Sequence, residues 1–158
     1  MSVCLIDTSV FCELLAVPNM NRRHEEMVGQ LSAKLKVPEI LLLPMTTILE
    51  TGNHIGQNGD GRQRREAAKK FVGQVRLALR GQSPFVPTPL FLREELGGWL
   101  EEFPDWAMRS DARGKGSGLG DLSIIKAFEH QCALNPSRRV YIWSQDEVLC
   151  RYDRSPVL

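Results

Sequence analysis

Three short apolar runs with no polar residue inside them constrain this chain more than anything else in it: Val3 to Ile6, Ile40 to Leu43, and the apolar part of Arg139 to Trp143. A strand with one wet face alternates apolar and polar residues, whereas a strand covered on both faces has no need to. Unbroken runs of this length, separated by segments with helical spacing, predict an α/β fold: a central, mostly parallel sheet between layers of helices. At 158 residues the chain is expected to form one domain, long enough to bury a core.

The intervening segments read as helices. Val10, Phe11, Leu14 and Leu15 recur at helical spacing after Asp7-Thr8-Ser9, and Met27, Val28, Leu31 and Leu35 line one face of a helix over Asn21 to Lys36 that Pro38 stops. Thr46 and Thr47 are placed to cap a helix running through Ile48, Leu49 and Ile55. After the loop Gln57 to Gly61, a further helix turns Ala67, Ala68, Phe71, Val72, Val75, Ala78 and Leu79 inward. Its outer face sets Arg62, Arg64, Arg65, Lys69, Lys70, Arg76 and Arg80 against Glu66 alone. The three prolines of Gln82 to Pro89 leave room for a short strand at best. Phe91 to Phe103 reads as an acidic helix weakened by Gly97-Gly98, and Pro104 to Gly120 as an extended irregular loop. Leu122, Ile125, Ala127, Phe128 and Cys132 mark a last helix opened by Gly120-Asp121.

Composition narrows the class. Hydrophobic residues at 42% and charged residues at 25% exclude a disordered chain, and a net charge of +1 means that any attraction to nucleic acid rests on local clusters. The apolar runs fall far short of a membrane span, and the opening Met-Ser-Val-Cys-Leu-Ile-Asp lacks the layout of a signal peptide. No C-x-x-C pair occurs among the four cysteines, which predicts neither a zinc site nor a redox motif but reduced, buried thiols in a cytoplasmic protein without a membrane partner.

In an open parallel sheet, reactive groups collect beyond the carboxyl ends of the strands. Asp7 ends the first strand and Asp146 follows the last one in Ser144-x-Asp146; Glu50 lies about one turn into the Thr46 helix and Asp121 in the first turn of the Leu122 helix. Four converging carboxylates repel one another, and a divalent cation relieves that conflict. Oxygen ligands alone suit Mg²⁺ or Mn²⁺ better than zinc, and such an ion makes a nucleophile of water and steadies a leaving oxygen. Phosphodiester hydrolysis is the chemistry that most needs this arrangement.

These residues resemble a known family. Leu5-Ile6-Asp7-Thr8-Ser9-Val10, Glu50 in Thr-Thr-Ile-Leu-Glu, Gly118-Leu119-Gly120-Asp121-Leu122 and Trp143-Ser144-Gln145-Asp146 are similar, in order, to the motifs of PIN-domain nucleases, above all the stand-alone VapC-like toxins of toxin–antitoxin pairs. The resemblance implies a PIN-like α/β/α architecture and a Mg²⁺- or Mn²⁺-dependent endoribonuclease with RNA as substrate. It further implies a homodimer and an inhibiting antitoxin that reaches into the acidic groove. It makes Asp7, Glu50, Asp121 and Asp146 the metal-binding and catalytic carboxylates, with Ser9 and Ser144 as auxiliary groups that orient them. Ser144 stands where the family more often has Thr, and the stretch from Glu50 to Asp121 is longer than in compact toxins, mainly through Pro104 to Gly120.

Bland readings stand beside these. Asp7 and Asp121 can be helix caps, Asp146 a turn residue and Glu50 a surface glutamate. His54 shares a face with Glu50 four residues away, but a helical His is more often structural; His24 and His130 have weaker claims. Arg109, Arg113 and Lys115, in the loop leading to Asp121, are the candidate phosphate contacts, while the basic helix reads first as a solvated face. Trp99, Trp106 and Trp143 serve packing more often than base stacking. The rival from another class is a catalytically silent PIN-like module that binds RNA or a protein. A phosphatase of the haloacid dehalogenase kind is disfavoured, since Asp7 lacks a second Asp two residues on.

Overall fold

In the computed structural model of the protein, residues 1–89, 93–109 and 117–157 are described. Strands β1 (Ser2–Ile6), β2 (Glu39–Leu43), β3 (Phe85–Pro87), β4 (Arg139–Trp143) and β5 (Asp153–Arg154) form one sheet in the order β3-β2-β1-β4-β5. The first four are parallel and β5 alone pairs antiparallel, on β4. Helices α1 (Thr8–Leu14), α2 (His24–Lys34), α3 (Met45–Gly56), α4 (Gly61–Leu79), α5 (Arg93–Ala107) and α6 (Leu119–Leu134) complete the fold, with a 3₁₀ turn over Leu149–Arg151. The expected α/β fold, a central and mostly parallel sheet between layers of helices, is the one observed.

The unbroken apolar runs are explained by the two cores they serve. Val3 and Leu5 of β1, Leu42 of β2 and Val140 and Ile142 of β4 pack beneath α5 and α6 on Trp106, Leu122, Ile125 and Phe128. The alternate residues Cys4, Ile6, Leu41, Leu43, Tyr141 and Trp143 pack on the other face against Phe11, Met27 and Ala78. Phe11 is wholly buried, and its ring meets Phe85 edge-on at a centroid distance of 5.9 Å. At the amino end of the sheet Glu39 gathers Ser2 and Tyr141, each donating at 2.7 Å, with the Lys34 ammonium at 3.4 Å.

Several local expectations fail for identifiable reasons. Pro44 occupies the N-cap of α3, so Thr46 and Thr47 do not cap it; Thr47 instead donates to the Ile6 carbonyl at 2.7 Å, and Thr88 Oγ1 accepts from the Met45 N–H at 3.3 Å. α6 begins at Leu119 on a Gly118 N-cap, two residues before the expected opening. α5 runs through Pro104 to Ala107, shortening the expected loop, because Trp99, Phe103 and Trp106 beyond the Gly97-Gly98 pair all pack into one core. α2 begins at His24, and Val28, Leu35, Val72 and Leu79 are exposed although expected inside. Cys4 and Cys12 are buried, and burial pushes their thiols up to about 12 and about 11, whereas Cys150 is exposed. Among the described residues no helix is long and apolar enough to cross a membrane.

Candidate active site

The strand order reverses between β1 and β4: the chain steps from β1 outward through β2 to β3, then returns to β4 on the other side of β1. Such a switch point opens a crevice at the carboxyl ends of the two strands. Asp7 leaves β1 there, its N–H still bonded to the Trp143 carbonyl at 3.0 Å, and Ser144, Gln145 and Asp146 leave β4 beside it.

Hydroxyl protons can be assigned around Asp7, which is buried. Its Oδ2 accepts from Ser9 Oγ at 2.7 Å, from Ser144 Oγ at 2.8 Å and from the Ser9 N–H at 3.3 Å. Ser9 Oγ in turn accepts the Gln145 N–H at 3.0 Å, and Ser144 Oγ accepts the Asp146 N–H at 2.9 Å. Each hydroxyl has one proton to give. With backbone N–H groups already on their oxygens, both serines direct that proton to Asp7.

Glu50 is placed by two contacts. Its Oε2 accepts from the buried Thr8 Oγ1 at 2.7 Å. Its carboxylate lies so close to Gly120 that a Cβ there would stand 1.8 Å from Oε1. A glycine is required at 120 for this approach and not for any special dihedral angle. The same end of α6 is tied to α3 by Thr46 Oγ1, 2.7 Å from Ser123 Oγ, which donates to the Gly120 carbonyl at 2.7 Å. Beyond this pair opens a cavity of about 400 Å³ lined by Pro44, Trp99, Lys126 and His130.

Asp121 is half-buried at the third position of α6, where Oδ2 accepts the Gly118 N–H at 3.2 Å. Burial raises its carboxyl above the ordinary aspartate value, the Gly118 N–H opposes that, and the negative charges of Asp7, Asp146 and Glu50 add to the rise. Asp121 therefore senses the charges of the other three acids. Asp146 is exposed, and its Oδ1 accepts the N–H groups of Val148 at 2.8 Å and Leu149 at 3.0 Å, capping the 3₁₀ turn.

A common arrangement emerges. Asp7, Glu50, Asp121 and Asp146 each commit one carboxylate oxygen to a structural bond. Asp7 Oδ1, Glu50 Oε1, Asp121 Oδ1 and Asp146 Oδ2 accept no hydrogen bond among the described residues, nor does any Lys or Arg pair with these acids. Among those residues no three His, Cys, Asp or Glu stand grouped to cage one ion. The donor chemistry nevertheless fits Mg²⁺ or Mn²⁺: Mg²⁺ is commonly held by one or two carboxylates and keeps several waters.

Other candidates fall outside this group. His54 is exposed and has no hydrogen bond or ion pair among the described residues, and His24 Nδ1 lies 2.6 Å from the Glu13 carbonyl. Trp106 and Trp143 are core residues, Trp143 bonding Gln30 at 2.8 Å. Arg109 stacks on Trp106 at 4.7 Å, while Arg113 and Lys115 lie outside the described residues. Thr8, Gly120 and Gln145 were not singled out from sequence, although each adjoins a named acid or serine. The signal available was their place inside the motifs.

No protein-family model matches the chain, and no curated protein matches it in sequence. Among solved structures the chain is similar to that of FitAB bound to an IR36 DNA fragment, at 17% identity and a TM-score of 0.57, over 94% of this chain and 89% of that one. The likeness is one of fold.

Proposed function

We propose that the protein is a Mg²⁺- or Mn²⁺-dependent endoribonuclease and the toxin of a toxin–antitoxin pair. The observation that supports the nuclease reading is that Asp121 feels the charges of Asp7, Asp146 and Glu50, and that each of these four carboxylates keeps one oxygen without a hydrogen bond and pairs with no Lys or Arg among the described residues. Asp7, Glu50, Asp121 and Asp146 would hold the ion. Bound there, it would supply Lewis acidity and a water of lowered pKa. Ser9 and Ser144 turn Asp7 so that Oδ1 faces away from their hydroxyls, and Thr8 does the same for Glu50. The toxin role, the antitoxin and the homodimer rest on the motif resemblance. FitAB, similar in fold, is bound to a DNA fragment in its structure, and DNA belongs in the substrate test for that reason.

The silent module has two observations in its favour: each acid already has a structural bond, and no three His, Cys, Asp or Glu stand grouped among the described residues. Incubation of end-labelled RNA and DNA pools with pure protein in Mg²⁺ or Mn²⁺, beside an EDTA control, separates the two readings. Cutting of RNA that EDTA abolishes is the expected result. No cutting, or equal cutting with EDTA, overturns the nuclease and leaves the binding module.

Gly120 offers a finer test. In Gly120→Ala the new methyl clashes only with the end of the Glu50 side chain, which can swing aside, so the melting temperature is expected to stay near that of the natural protein. Displacing Glu50 is expected to lower cleavage by about 10–100-fold, the usual cost of misplacing a ligand. Unchanged cleavage in this variant would remove Glu50 from the site.

A further inference from the structure

The outer face of α4 carries a one-sided row of positive charge. Arg62, Arg65, Lys69, Arg76 and Arg80 are all exposed, and at 3.6 residues per turn they fall within a sector of about 60°. Opposite them Ala67, Phe71, Val75 and Ala78 pack inward. The row is about 27 Å long at 1.5 Å per residue. Gly73 lies in its middle gap, with nothing within 4 Å of where a side chain would begin. Glu66, the one acid on the helix, pairs with Lys69 at 2.9 Å.

A helix of this length gains from acids in its first turn, where the backbone dipole is positive. In α4 the Asp60 N-cap, which accepts the Gln63 N–H at 2.9 Å, is the acid at that end, and the first turn itself carries Arg62 and Arg64. Arg65 with Lys69, and Arg76 with Arg80, set like charges four residues apart, which also destabilises a helix. Solubility requires no such bias, since mixed signs serve it equally well and the whole chain carries only +1. Meanwhile the four acids of the site repel a polyanion, so affinity for one has to be supplied elsewhere.

We propose that this row is a rail for the backbone of single-stranded RNA, holding phosphates along α4 without reading bases. The inference rests on the ribonuclease reading above and adds the surface that binds the substrate. One narrow row fits one phosphate backbone, and no aromatic ring stands in it to stack bases.

The test is fluorescence anisotropy with a labelled uridine oligonucleotide in EDTA over a range of salt, comparing the natural protein with the triple variant Arg65→Glu, Lys69→Glu, Arg76→Glu. Five phosphate contacts give a log–log salt slope of about −3.5 on a single strand. The variant is expected to bind about tenfold or more weakly with a slope less than half as steep, while it still unfolds in one cooperative transition and its metal-dependent cutting of a labelled dinucleotide stays unchanged. Equal affinity and slope in the two proteins, or no binding by the natural one, overturns the rail. Unchanged RNA binding with loss of a co-purifying acidic protein overturns it in favour of a protein partner. If the natural protein binds with the steep slope but cuts neither the RNA nor the DNA pool, the nuclease reading fails and the rail stands.

Discussion

Asp121→Asn is expected to lower metal-dependent RNA cleavage by about 10³-fold, within the usual range for removing one proton-handling or charge-bearing group from a site, and at the same time to raise the melting temperature in EDTA at neutral pH. The two effects share a cause. In the folded protein the Asp121 carboxyl titrates above its ordinary value, first through burial and then through the charges of Asp7, Asp146 and Glu50. Below the unfolded-state value both states are protonated, and the stability linked to this group is fully present. As pH rises through the folded-state value, the native protein has to ionise Asp121 against burial and three acids, and that stability is lost. Asparagine is never ionised and can still accept the Gly118 N–H. The variant should therefore match the natural protein at the acid end of the carboxylate range and exceed it at pH 7. Mn²⁺ should raise the melting temperature of the natural protein more than that of the variant, because a ligand that binds only the folded state stabilises it. A variant less stable than the natural protein in EDTA at pH 7, with cleavage intact, would make Asp121 a helix cap and nothing more.

Phe11→Ala is expected to cost about 3–5 kcal/mol, the range for emptying a fully buried aromatic site. That is a large part of the roughly 5–15 kcal/mol by which domains are stable, and at this chain length it corresponds to a fall in melting temperature on the order of 10 °C. Phe11 is 0% exposed, meets Phe85 of β3 at an interplanar angle of 86°, and lies in the core that also holds Met27, Leu43 and Trp143. It follows Asp7 by one helical turn, and its N–H bonds the Asp7 carbonyl at 3.0 Å, so loss of packing loosens the start of α1 on which the site is built. Phe11→Leu keeps most of the volume and should cost less than about 1.5 kcal/mol. Chemical denaturation of both variants checks this, and a cost below 1 kcal/mol for the alanine would show that α1 is not held by this contact.

Some of this structure was legible in the residues alone because the physics behind it is local. β1, β2 and β4 are readable since a strand sandwiched between helices has to be apolar at every position, and Asp7, Ser144 and Asp146 are readable since a polar residue immediately after such a strand falls at the sheet edge. β5 is not: two residues, Asp153 and Arg154, carry no period, and their place depends on the Arg139–Asp153 ion pair at 2.6 Å and on Tyr152 packing edge-on against Phe128. The passage of α5 through Pro104 is equally hidden, because a local helix breaker is overridden by three aromatic residues reaching a core that other segments build.

The same division runs through the site. Residue order alone determined an α/β chain with acids just after two strands, at the start of one helix and about one turn into another, for each of those signals is contained within a few neighbouring residues. Only the tertiary structure decided that β4 lies beside β1, so that Asp7 and Ser144 meet, that Glu50 leans on Gly120 while His54 one turn away faces solvent, and which oxygen of Glu50 is left free. Those outcomes depend on contacts between residues 42 to 137 apart in sequence, and no local pattern encodes a contact whose partner arrives from another element.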